Sequence, residues 1–100
     1  MPYQKIFTAM ADPTRREVLE KLKGQPRTVA DLAADMPVSR PAVSQHLKVL
    51  QEAGLVEVRA QGTRRYYSLR REGIELMRQY LDGFWEDVMA NYAANILKRR

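Results

Sequence analysis

Ser39-Arg40-Pro41-Ala42-Val43-Ser44-Gln45-His46-Leu47-Lys48-Val49-Leu50 is the stretch on which the fold turns. Val43, Leu47 and Leu50 recur at i, i+4 and i+7, the spacing of one helical face. Ser39 can cap the orphan amides, and Pro41 is tolerated in the first turn, where a missing N–H costs nothing. Gly54 in Glu52-Ala53-Gly54-Leu55 supplies the stop. The apolar face must dock inward, which turns Arg40, Ser44, Gln45 and Lys48 outward. A helix fits the major groove of duplex DNA, where Arg suits guanine, Gln suits adenine and Ser accepts either base or a phosphate. Ser39 and the first-turn amides can meet a phosphate at the positive helix end. Taken alone, such an outer face is more often the mark of a solvated helix. His46 is read as packing at the helix edge and bonding locally rather than reaching the groove.

The flanks change the odds. Upstream, Thr28 opens a short helix with Asp31 three residues on, the spacing of a capping box. Val29, Leu32 and Ala33 face inward, and Met36-Pro37 ends the helix. Downstream, Leu55 to Arg59 alternates, Arg65 to Leu69 alternates again, and Gln61-Gly62 lies between them, which predicts a β-hairpin. Its tip carries Arg59, Gln61, Thr63, Arg64 and Arg65, suited to phosphates or a minor groove. Two short helices joined by a tight turn and followed by a basic hairpin make a winged helix-turn-helix.

Charge agrees. The chain has 100 residues and a net charge of +5. Residues 38–71 hold seven basic and two acidic side chains, whereas the segments on either side are nearly neutral. A localised excess of this kind suits a polyanion.

Toward the N-terminus, Ile6, Phe7 and Met10 suggest a first helix ending before Asp12-Pro13. That pair starts a second helix running to about Lys23, with Val18, Leu19 and Leu22 buried and Gly24 as a left-handed stop. Arg15 and Arg16 could touch phosphate or pair with Asp12, Glu17 or Glu20. Gln25-Pro26-Arg27 reads as a connector. Toward the C-terminus, residues 72–98 form one long helix. Its stripe includes Ile74, Met77, Leu81, Phe84, Trp85, Val88, Met89, Tyr92 and Ile96, more apolar surface than so small a body can cover. Such a patch marks an interface. A homodimer through this helix and the first one, with Tyr3 and Phe7 beside it, is therefore expected. Gly83 in mid-helix is consistent with a close helix–helix approach or with plain tolerance.

The expected fold is one domain over 1–100, mainly α with a small hairpin, in the order α-α-α-α-β-β-α. Residues 28–53 are the helix-turn-helix, 55–69 the wing and 72–98 the dimerisation helix.

Ala11-Asp12-Pro13-Thr14-Arg15-Arg16, Thr28-Val29-Ala30-Asp31-Leu32-Ala33, the block from Val38 to Leu50, Ala53-Gly54-Leu55-Val56 and Gly62-Thr63-Arg64-Arg65-Tyr66-Tyr67-Ser68-Leu69 together resemble the ArsR family of winged-helix repressors. The tail, with Phe84-Trp85, is similar to the branch of that family without cysteine metal sites. The resemblance implies a homodimer that binds a palindromic operator and represses transcription, commonly of its own operon.

Several classes are excluded. There is no cysteine, so thiolate metal sites and cysteine nucleophiles are absent, and a single histidine leaves no His-pair zinc site. Metal-sensing relatives carry thiolates on the helix that here spans Thr28 to Met36. Others use histidine and carboxylates on the last helix, which here offers Asp82, Glu86 and Asp87 but no histidine. An ordinary acidic face is the expectation, with no metal and no cofactor. Ser44 beside Gln45-His46 is no catalytic dyad, since adjacent helix positions do not face each other. No enzyme is expected. No apolar run reaches the ~18 residues of a membrane span, and the first residues hold no apolar export segment. A cytoplasmic protein with two partners, double-stranded DNA and itself, is the reading; no effector is named by the sequence. A winged-helix module for protein or RNA, without operator specificity, is the alternative, as is an apolar ligand near Trp85 and Tyr92.

Overall fold

The computed structural model describes residues 2–98, with seven elements: α1 (Pro2–Met10), α2 (Pro13–Lys21), α3 (Val29–Ala34), α4 (Arg40–Glu52), β1 (Val56–Gln61), β2 (Arg64–Leu69) and α5 (Arg71–Lys98). The expected order holds. Ile6, Val18, Leu32, Val43, Leu47, Leu50, Leu55 and Val56 are the largest fully buried side chains and form one core.

Each helix start follows from its cap. Asp12 Oδ1 accepts from the Thr14 and Arg15 amides at 2.7 and 3.1 Å. The Arg15 amide above all, with the Thr14 amide and the Arg15 guanidinium, holds the Asp12 carboxyl below its ordinary value. Thr28 and Asp31 form the full capping box, with both hydrogen bonds at 3.1 Å. Ser39 Oγ accepts from the Ala42 amide at 3.3 Å.

A depressed carboxyl pKa makes stability depend on pH with a definite sign. The ionised Asp12 cap contributes fully above its ordinary pKa of 3.8, and that contribution is lost as pH falls through the lower folded-state value. Asp12→Asn can still accept from the amides but does not titrate. Acid titration of its stability is expected to give a shallower acid limb than the wild type; superimposable limbs contradict this role for Asp12.

Five details depart from the sequence reading. First, α2 stops at Lys21 with Leu22 as its C-cap, and Gly24 does not have the left-handed backbone expected of it; only Gly54 (φ 79°) and Gly62 (φ 63°) have positive φ among the described residues. The Leu22 amide closes the helix onto the Val18 and Leu19 carbonyls, so no left-handed residue is required. Second, Arg15 and Arg16 serve α1. Arg15 donates to the Ala9 and Thr8 carbonyls at 2.7 and 3.1 Å, and Arg16 to the Met10 carbonyl at 2.7 Å. Cationic donors suit the negative end of a helix, and Arg15 also reaches Asp12 at 3.8 Å. Third, the hairpin is longer at its tip. Gln61 pairs with Arg64, which leaves Gly62-Thr63 as a two-residue turn. Fourth, Arg27 is no mere connector: its N–H and C=O both pair with Tyr67, at 2.9 and 2.8 Å, adding a one-residue third strand beside β2. Fifth, His46 is half-buried at the helix edge as expected, but among the described residues its ring makes no hydrogen bond; it adds a smaller pull on the nearby Asp12 carboxyl.

The long helix leaves the body. The molecule extends 66 × 25 × 24 Å, which follows from the ~42 Å length of 28 helical residues. The start of α5 packs on the core through Ile74, Leu76 and Met77, whereas every residue from Arg78 to Ile96 is exposed.

Candidate nucleic-acid interface

Docking of α4 fixes the outward set. Val43, Leu47 and Leu50 are buried, and Ser39, Arg40, Ser44, Gln45 and Lys48 are all exposed. On the hairpin, Val56 and Val58 share a face with Tyr67 and Leu69, their cross-strand partners, and turn toward the core. Arg59, Gln61, Thr63, Arg64 and Arg65 are exposed.

These groups do not all look the same way. Ser44 of α4 and Thr63, Arg64 and Arg65 of the wing line one open groove of about 580 Å³, with Thr28 to Asp31 of α3 and Tyr67 on its other walls. Recognition-helix and wing residues thus meet on one surface. The Thr28 amide and hydroxyl hold the Asp31 carboxyl in this groove below its ordinary value, with smaller pulls from Arg27 and Arg64. Arg59 and Gln61 lie elsewhere. They line a second, smaller basin of about 370 Å³ on the outer side of the wing, with Gln25, Pro26, Tyr66 and Ser68. Strand alternation puts Arg59 and Gln61 on the side away from Val58 and Ala60; Arg65, across from Ala60, takes the opposite side, and Arg64, across from Gln61, reaches the groove from the end of the ladder.

A family model described as "Bacterial regulatory protein, arsR family" matches residues 12–58. The HTH-type transcriptional regulator Rv2034 of Mycobacterium tuberculosis is 51% identical over 89 residues, 89% of this chain and 83% of that protein. The chain belongs to the ArsR family.

Two further relatives refine what this ArsR-family chain is similar to. The transcriptional repressor SdpR of Bacillus subtilis is 41% identical over 64 residues, 64% of this chain and 71% of that one. The homodimeric winged helix-turn-helix DNA-binding domain of Mb0332 from Mycobacterium bovis superposes with a TM-score of 0.70 at 28% identity, covering 85% of this chain and 80% of that structure. The ArsR-family chain is accordingly a winged helix-turn-helix transcriptional regulator and not an enzyme.

The surface expected to carry the partner subunit is exposed in one chain. Phe84, Trp85 and Tyr92 are each 62% exposed, and Leu81, Val88, Met89 and Ile96 are also open. Tyr3 and Phe7 are half-buried because Tyr80 caps both, its ring centroid 5.1 Å from each. Tyr80 was not singled out from the sequence. It occupies the same helical side as Phe84 and Val88, and that spacing was the available signal. On the acidic side, Asp82 pairs with Arg78 at 3.3 Å, which leaves it a poor candidate ligand. No group of three His, Cys, Asp or Glu side chains among the described residues could hold a metal ion. No described helix is long and apolar enough to cross a membrane.

Proposed function

We propose that this regulator binds duplex DNA as a homodimer in the cytoplasm, with α4 in the major groove and the wing beside it, and represses transcription by covering a promoter, its own operon's among the candidates. The groove shared by Ser44 and the Thr63-Arg65 tip supports this most directly, because one duplex can touch both at once. In this reading residues 28–53 are the reading head and 55–69 the wing. Ser39, Arg40, Ser44, Gln45 and Lys48 choose bases and position phosphates; Arg59, Gln61, Thr63, Arg64 and Arg65 supply salt-dependent affinity. Residues 72–98, with Tyr3 and Phe7, carry the two-fold contact through Leu81, Phe84, Trp85, Val88, Met89, Tyr92 and Ile96. The homodimeric Mb0332 domain and the named repressor SdpR are consistent with it. A two-fold axis sets the two α4 helices about one turn of DNA apart, ~34 Å, so the operator is an inverted repeat.

Selection of bound fragments from a random duplex pool, repeated at several salt concentrations, tests the reading. The expected product is an inverted repeat whose affinity falls steeply with salt. Fragments without symmetry, or tighter retention on a folded RNA than on any duplex, would overturn it in favour of an interaction or RNA-binding module.

A further inference from the structure

The groove that α4 shares with the wing tip contains one carboxylate. Its other polar walls include the hydroxyls of Thr28, Ser44 and Thr63 and the guanidiniums of Arg64 and Arg65, so Asp31 alone carries charge of the sign that DNA carries. The carboxylate is pinned. Asp31 Oδ2 accepts from the Thr28 amide and the Asp31 amide donates to the Thr28 hydroxyl, both at 3.1 Å. Asp31 cannot turn out of the groove without opening the capping box that starts α3. These bonds above all, with Arg27 and Arg64 adding to them, keep its carboxyl below the ordinary value and therefore ionised at neutral pH. A capping box needs an acceptor at this position and not a charge, since Gln serves there as well as Glu. The charge is thus surplus to the cap, and it faces the surface offered to DNA. Arg64 stands beside it without a closer partner. Arg27 donates to the Lys21 carbonyl, Arg70 to Glu72 and Arg78 to Glu75, whereas among the described residues the Arg64 guanidinium makes no hydrogen bond, and Asp31 is a carboxylate close enough to feel its charge.

Resting on the function proposed above, we infer that Asp31 is an internal counter-anion of the groove, which stands in for a backbone phosphate beside Arg64 in the free protein and opposes every duplex that enters. Phosphate and carboxylate compete for one guanidinium. The pinned carboxylate stays in the groove after it has lost that competition, so its repulsion of the backbone persists in the complex. The penalty acts on phosphates and is the same for every base sequence. Non-operator duplex is held by phosphate contacts alone and has nothing else to set against the penalty, whereas an operator keeps the base contacts of α4. Asp31 thus sets the salt range in which stable binding requires an operator.

The test uses the full chain, the duplex recovered by selection and a scrambled duplex of the same length, each titrated at several salt concentrations. Asp31→Asn keeps an acceptor for the Thr28 amide and removes the charge; Asp31→Gln is a second neutral cap. Both should bind both duplexes more tightly, by about three-fold per subunit and so about ten-fold for a dimer, the size of an exposed charge interaction. The log–log salt slope should steepen by up to about one per subunit, a change that a merely structural cap would not produce. Arg64→Ala should cost more affinity in the Asp31→Asn background than in the wild type, because the competitor for its guanidinium is gone. Asp35→Asn is the charge control: it makes the same change in net charge at the other end of α3, where Asp35 faces Lys21 at 3.8 Å and lies outside the groove, and it should leave affinity and slope close to wild type. Neutral Asp31 variants that melt like the wild type but bind no more tightly overturn the inference, and so does an equal gain from Asp35→Asn or an equal cost of Arg64→Ala in both backgrounds. If the wild type and all variants fail to retain any duplex, it is the DNA-binding reading that has failed.

Discussion

Val88→Asp is expected to yield a folded monomer that has lost operator binding by a factor on the order of 10²–10⁴, the avidity that joining two binding modules supplies. Val88 lies mid-stripe on α5, between Phe84-Trp85 and Tyr92, in a segment where every side chain is exposed. Nothing in the single-chain core depends on it, so far-UV circular dichroism should be unchanged. In a two-fold dimer the substitution occurs twice and brings two carboxylates into one apolar seam. Each unpaired buried charge costs several kcal/mol. Light scattering coupled to gel filtration reports the mass, and DNA titration reports the affinity. A dimer that survives Val88→Asp would place the two-fold contact elsewhere.

Gly73→Ala has the second large effect, and it acts on the fold. A Cβ at Gly73 would lie 1.9 Å from the Gly54 carbonyl oxygen, 2.7 Å from its carbon and 3.2 Å from the Leu55 Cα. All three are backbone atoms, and none can swing aside. Gly54 is itself committed to a φ of 79°, and the Arg70 amide donates to the Leu55 carbonyl at 2.8 Å, so the joint is held on both sides. Overpacking against side chains costs ~1–3 kcal/mol, and rigid backbone sits at or above the top of that range. For a domain of this size, Tm should fall by about 10 °C or more at fixed protein concentration. Gly83→Ala is the internal control. No atom lies within 4 Å of its added methyl, so it should raise helix stability by up to ~1 kcal/mol. A Gly73→Ala protein as stable as the wild type would mean that the start of α5 does not rest on the Gly54-Leu55 corner.

That contrast shows where sequence was informative and where it was not. Helix starts were legible because a cap is a local device: Asp12, Thr28 and Ser39 each act on amides two or three residues away. The apolar face of α4 was legible because its period is intrinsic to the helix. Gly54 and Gly62 lie in local turns and were placed as turn residues. Gly73 was passed over because its need for a bare Cα arises from a carbonyl nineteen residues upstream, on a different element. Arg27 was passed over for the same reason, since its partner is Tyr67. Arg15 and Arg16 were read as contacting phosphate or pairing with nearby carboxylates; Arg15 does reach Asp12, but the main partners of both are the carbonyls that end α1. At the interface, the outward identity of Arg40, Ser44, Gln45 and Lys48 followed from the period. The division of the wing into a side with Arg59, Gln61 and Arg64 and a side with Ala60 and Arg65 required the strand register. Hairpin ends set that register, and it shifts with one residue of turn length.

The placement of α4 in the major groove can be tested by titrating Gln45→Ala and Arg64→Ala against a panel of operator variants, each altered at one half-site position. Gln45→Ala should flatten discrimination at a single position by ~1–3 kcal/mol and leave the others intact, while Arg64→Ala weakens every variant alike and lowers the salt slope. A Gln45→Ala protein that loses the same affinity for all variants would show that α4 does not read the bases.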